Sequence, residues 1–126
     1  MSKTIIHTET APGAIGPYSQ GVRAGGFIFI SGQLPVDPAT GEMPKGSIRE
    51  LTRQSLTNIK HILEAAGSSM DNVVKTTVFL KDLSDFAAMN QAYAEFFPAD
   101  CPARSCVQAA ALPKDAAVEI EVIALA

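Results

Sequence analysis

The chain has no tryptophan, two tyrosines, two histidines and two cysteines in 126 residues, and only 18% of it is charged. Each scarcity excludes something. His7 and His61 are far apart and lack the spacing of a metal site, so no metal-ligand set is legible. Cys101 and Cys106 are separated by roughly 16 Å in extended chain, beyond disulfide reach, so unless the chain folds back between them both are free thiols. No histidine accompanies Cys106 in a recognisable pattern, which weighs against a thiol nucleophile. No apolar run approaches the ~20 residues of a membrane-spanning helix. The first residues, MSKTIIHTE, lack the basic-then-apolar layout of a secretory signal, so a cytoplasmic protein is expected. Ten Lys plus Arg against thirteen Asp plus Glu leave a net charge of −3. A broad basic surface for a phosphate backbone is therefore missing, and nucleic acid is a poor first partner. Gly13 and Gly16 are followed by Pro17, which has no N–H to give a phosphate cradle.

What is present is a globular composition, 47% hydrophobic with 9 Gly and 8 Pro, without repeats or a linker, expected to form one domain over residues 1–126. Residues 3–8, 18–24 and 27–30 read as strands, separated by a Gly/Pro-rich stretch and the Gly25-Gly26 turn. Residues 37–41, Asp-Pro-Ala-Thr-Gly, carry turn chemistry. Ser47 with Glu50 is a capping box opening a helix, whose stripe Ile48, Leu51, Ile59, Ile62, Leu63 and Ala66 runs to a stop at Gly67. Residues 73–80 are β-branched and aromatic enough for a strand. A second helix is expected over 83–97, with Phe86, Met89, Tyr93 and Phe96 or Phe97 as its core stripe and Pro98 ending it. Residues 104–111 and 118–125 then form two strands, and the six residues between them suit a hairpin.

Two helices for some six strands can cover one face of a sheet and leave the other bare. In residues 27–30 and 122–125 both alternating sets are apolar, so something covers the second face as well, and a further copy of the chain is the expected cover. Alternation places Arg104, Cys106 and Gln108 on one face, and Glu119 and Glu121 on one face of the next strand. In a hairpin the glutamates join Arg104 on the helix-free side. This set is open to two readings: a salt bridge that settles an interface, or a site in which Arg104 grips a carboxylate bidentately while a glutamate moves a proton. Ser31-Gly32, at a strand end, permits either a close ligand approach to main-chain N–H groups or a plain turn.

The stretches APGAIGPYSQ at 11–20, FISGQLP at 29–35, TTVFLKDL at 76–83, FAAMN at 86–90, PARSCV at 102–107, LPK at 112–114 and VEIE at 118–121 resemble the Rid family of YjgF-type reactive intermediate deaminases over essentially the whole chain. Arg104 with Cys106 and Glu119 resembles its deaminating RidA branch. The resemblance implies a chorismate-mutase-like α+β subunit, a mixed six-stranded sheet with two helices on one face, in a homotrimer with clefts between subunits. It implies hydrolysis of 2-iminoacids such as 2-iminopropanoate and 2-iminobutanoate, released by pyridoxal-phosphate enzymes, to 2-oxoacids and ammonia, with no cofactor and no metal. Arg104 matches the carboxylate-holding arginine, Glu119 the glutamate that orients the attacking water, and Cys106 a position whose backbone carbonyl helps place that water. Tyr18, Ser31, Gly32 and Asn90 match cleft-lining residues, with Tyr18 arriving from the neighbouring subunit and Glu121 structural. Two other readings stand beside this one: a non-catalytic oligomer binding 2-oxoacids or amino acids, and an endoribonuclease or translation inhibitor.

Overall fold

A computed structural model describes residues 2–126. Six strands, β1 (Thr4–Ile6), β2 (Gly21–Ala24), β3 (Phe27–Gln33), β4 (Val73–Leu80), β5 (Ala103–Gln108) and β6 (Val118–Leu125), form one mixed sheet in the order β1-β2-β3-β6-β4-β5. Helices α1 (Ile48–Ala65) and α2 (Phe86–Phe96) complete an α+β fold. The first expected strand shortens to three residues, and residues 18–20 lie outside β2.

Helix α1 begins where the capping box puts it. Ser47 accepts from the Glu50 N–H at 3.3 Å. Its end is a positive-φ Gly67, with the Ser68 N–H reaching back to Leu63 O at 2.8 Å, the pattern of a Schellman stop. Leu56, Ile59, Ile62 and Leu63 are fully buried against β3 and β6. Expected stripe members Ile48, Leu51 and Ala66 pack only at its margin. The second helix proper starts at Phe86, preceded by a 3₁₀ turn over Leu83–Asp85. Met89, Ala92 and Tyr93 are its buried positions, followed by the buried C-cap Phe97, and Phe86 is 40% exposed.

The expected hairpin between residues 104–111 and 118–125 does not form. β5 pairs in parallel with β4, Arg104 opposite Thr76, whereas β6 lies antiparallel between β3 and β4. Chain proximity loses here to composition. The sequence Val-Glu-Ile-Glu-Val-Ile-Ala-Leu suits a central strand, whereas Ala-Arg-Ser-Cys-Val-Gln suits an edge, where polar groups meet water.

The sheet is covered on one face only. Ile28, Ile30, Val78, Leu80, Val118 and Ile120 turn toward the helices and are buried. On the opposite face Phe27, Phe29 and Leu125 remain 40%, 44% and 45% exposed. Phe27 pairs with Leu125 and Phe29 with Ile123, so these side chains form one apolar patch.

Candidate active site

A bulge in β3 makes the first part of the site. Ile30 pairs with Val122 but Gln33 with Ile120, so three steps along β3 oppose two along β6, and Ser31 and Gly32 are displaced from the ladder. Ser31 is held twice, its N–H donating to Gln20 O at 3.0 Å and its hydroxyl to Ser19 O at 2.6 Å. Because that proton is committed, Ser31 offers only lone pairs to a ligand. The Glu119 carboxylate folds over Gly32 so closely that a β-carbon there would lie 2.7 Å from Oε2. Glycine is needed at 32 for space.

The wall opposite is the loop before β2. Gln20, 2% exposed, ties it down: Oε1 accepts from the Thr8 N–H at 2.7 Å, and Nε2 donates to Thr8 O at 3.0 Å and Pro12 O at 2.8 Å. Tyr18 stands on this loop with its hydroxyl accepting from the Ile15 N–H at 3.3 Å. The phenolic proton is thereby free to donate. Asn58 of α1 fixes the third wall by donating to Leu34 O and Val36 O at 3.3 and 2.9 Å. Together these segments enclose a cavity of about 620 Å³ lined by Tyr18, Ser31, Gly32, Lys114 and Glu119. Burial, and secondly the Glu121 carboxylate, pushes Glu119 above the ordinary carboxylate value.

Arg104 lies elsewhere. Its partner in the register, Thr76, is buried on the helix side, and Nη1 of Arg104 donates to Asn90 Oδ1 of α2 at 2.7 Å. Glu119 and Glu121 oppose Phe79 and Thr77 on the other face. Glutamates and arginine are therefore on opposite faces of the sheet within one chain, which corrects the expectation that they share the helix-free side. Alternation fixes which residues share a face; only the pairing partner says which face it is. Arg104 and Asn90 line a second, shallower hollow of about 400 Å³ with Tyr93, Phe97 and Cys101.

Cys106 accompanies Arg104, packed against the core margin. Burial pushes its thiol up, outweighing the pull of Arg104, so it is not poised as a thiolate. Its main chain is better placed. The Ala109 N–H donates to Leu80 O at 2.9 Å. By ladder alternation the odd-numbered residues of β5 then bond to β4, and the carbonyls of Arg104 and Cys106 face the free sheet edge. Both cysteines are free. Of the histidines, His61 Nδ1 sits 2.7 Å from Thr10 O, and among the described residues no group of three His, Cys, Asp or Glu could hold a metal.

The seven residues expected at the site thus fall into two sets: Tyr18, Ser31, Gly32 and Glu119 around the larger cavity, and Asn90, Arg104 and Cys106 at the β5 edge. Tyr18 joins the glutamate's set. Gln20, Asn58, Phe86 and Tyr93 were not legible as site residues. Gln20 and Asn58 carry a signal only once buried, since a buried amide must be hydrogen-bonded, and the two aromatics read as ordinary core stripe.

The sequence profile described as endoribonuclease L-PSP matches residues 8–126. The chain is 58% identical to a RutC family protein of Pyrococcus horikoshii over 97% of both chains. It is 57% identical to the 2-iminobutanoate/2-iminopropanoate deaminase of Escherichia coli K12, over 99% of this chain and 98% of that one. The crystal structure of Escherichia coli TdcF with bound serine superposes with a TM-score of 0.93 at 52% identity, covering 98% of each chain. With its bulged β3, edge-strand arginine and a profile match across nearly all its length, the chain belongs to the endoribonuclease L-PSP family, that of the YjgF and Rid proteins.

Proposed function

We propose that this protein is a 2-iminoacid deaminase whose active sites form between two copies of the chain, in a homotrimer. The observation that carries the reading is the division of the site. An arginine fork without a base lies at one sheet edge, and a raised-pKa glutamate, whose cavity holds Lys114 but no arginine fork, lies beside an apolar, uncovered sheet face. Burying that face against a neighbour supplies each half with the other, and the close relative named as a 2-iminobutanoate/2-iminopropanoate deaminase supports the substrate class.

In this scheme Arg104 of one copy holds the substrate carboxylate by the donors that Asn90 leaves free. Glu119 of the other copy takes a proton from water as its oxygen adds to the imine carbon. Glu119 returns that proton to the nitrogen of the resulting carbinolamine, the C–N bond breaks as the hydroxyl proton passes to Glu119 and on to the departing ammonia, and a 2-oxoacid and ammonium leave with the carboxylate restored. The Cys106 carbonyl at the free edge orients the water, Ser31 accepts from the protonated imine nitrogen, and Tyr18 donates to the hydroxyl that forms. A protonated imine is already electrophilic, so positioning and charge stabilisation suffice. No cofactor is invoked.

The test couples an amino-acid oxidase to semicarbazide trapping of the imine. The protein is expected to outcompete the trap with imines from alanine and 2-aminobutanoate, and undiminished trapping would refute the activity. The serine bound to TdcF favours one second reading, a binding oligomer without turnover. That reading predicts saturable binding of 2-oxobutanoate with no imine clearance. The ribonuclease reading requires strongly salt-sensitive RNA cleavage lost with Arg104.

Glu119 must be ionised to act as base, and its raised pKa sets the acid limb of kcat/KM above the ordinary carboxylate range. Glu121 contributes to that elevation through like charge. Glu121→Gln is therefore expected to move the acid limb to lower pH, measured as kcat/KM against pH. A limb that stays put, or moves up, removes Glu119 as the titrating base.

A further inference from the structure

The proposed anchor is an arginine, and arginine is costly to hold in one place. Its side chain carries about 2 kcal/mol of rotamer entropy. Here one helix holds it at three points. The Arg104 guanidinium carbon lies 4.8 Å from the ring centroid of Tyr93 and 5.5 Å from that of Phe86, within the range of cation–π attraction. Between these two contacts comes the 2.7 Å bond from Nη1 to Asn90 Oδ1. Phe86, Asn90 and Tyr93 are at i, i+4 and i+7 of α2, on one helical face. Tyr93 is itself fixed, 6% exposed, packed at a tilt against Phe97 with ring centroids 4.7 Å apart, its hydroxyl 2.8 Å from Thr76 Oγ1. Thr76 is the residue opposite Arg104 in the β4–β5 register. The anchor's strand partner thus braces the ring that braces the anchor.

We infer that Phe86 and Tyr93 are positioning residues for Arg104. Their rings hold the guanidinium plane while Asn90 fixes its rotation, so the donors away from Asn90 are presented as a ready-made fork for the substrate carboxylate. The inference rests on the proposed role of Arg104. Tyr93 also lines the hollow beside Arg104, and both rings act on the substrate through the guanidinium. Preorganisation of this kind is expected in affinity for the carboxylate and not in the proton transfers at Glu119.

The experiment measures binding of 2-oxobutanoate by calorimetry and steady-state imine clearance, with melting temperature as a check on folding, for the wild type, Phe86→Leu, Tyr93→Leu and Tyr93→Phe. Phe86→Leu and Tyr93→Leu are expected to raise both Kd and KM by roughly fivefold to tenfold, about 1–1.4 kcal/mol, with kcat changed less than about twofold. Tyr93→Phe keeps the ring, loses only the hydroxyl bond to Thr76, and recovers most of the affinity. The Arg104 Nε–H resonance is expected to be sharp in the wild type and to broaden in the two leucine variants. Because Phe86 is 40% exposed, Phe86→Leu remains informative even if Tyr93→Leu fails to fold. Wild-type Kd and KM in folded Phe86→Leu, or a fall confined to kcat, overturns the inference. A wild type that binds 2-oxobutanoate yet clears no imine defeats the deaminase reading and leaves the aromatic clamp to be judged by Kd alone.

Discussion

Chains carrying Arg104→Ala, mixed with chains carrying Glu119→Gln under conditions that exchange subunits, are expected to regain imine-clearing activity that neither variant has alone. Each single variant should lose on the order of a hundredfold or more in kcat/KM, because a substrate without its anchor, or a water without its base, is no longer held for reaction. In a cyclic trimer, every mixed ring has one interface at which an intact Arg104 meets an intact Glu119. At equal mixing about three quarters of trimers are mixed, so about a quarter of all sites are wild type. Recovery near that fraction is the expected readout, followed as trapped semicarbazone. Arg104→Lys should behave like Arg104→Ala in the same assay, since an ammonium cannot offer a planar fork or stack between two rings. Failure to recover, with subunit exchange verified by mass, would place both groups of a working site in one chain and contradict their separation onto opposite sheet faces.

That separation marks the limit of what the sequence made legible. Local chemistry was easily read: the Ser47–Glu50 cap, the Gly67 stop, and strands Val73–Leu80 and Val118–Leu125 all lie where propensity and punctuation put them. The uncovered apolar face was also readable, because Phe27-Ile28-Phe29-Ile30 leaves no polar set to meet water. Pairing across long sequence distances was not. The insertion of β6 between β3 and β4 is set by which strand gains most from neighbours along both edges, a competition among all six strands that no local window contains. The β3 bulge is similarly hidden. Ser31-Gly32 could be a plain turn or a ligand-facing loop, and only the register slip from Ile30 to Gln33 decides for a displaced segment beneath Glu119. Residue types at the site came chiefly through family resemblance; their division between two half-sites came from the sheet.

The close packing of Glu119 on Gly32 makes Gly32→Ala the sharpest separation of activity from stability in this molecule. The new β-carbon would stand 2.7 Å from Glu119 Oε2 and 2.8 Å from its carboxyl carbon, well inside contact distance. What must yield is the far end of a flexible side chain, not backbone, and the carboxylate retreats by about an ångström, a displacement that costs on the order of a hundredfold in rate. The fold has little reason to object. Gly32 is exposed and is not among the positive-φ glycines, so alanine adopts its conformation without strain while restricting the unfolded chain, worth about 0.4–1 kcal/mol in the stabilising direction. Gly32→Ala is therefore expected to keep or slightly raise the melting temperature and to lower kcat far more than it alters the Kd for 2-oxobutanoate, since Arg104, the proposed carboxylate anchor, is untouched. Calorimetric binding beside steady-state rates distinguishes the outcomes. A variant with wild-type kcat would show that the carboxyl group can do its work from elsewhere in the cavity, and Glu119 would lose its place as the base.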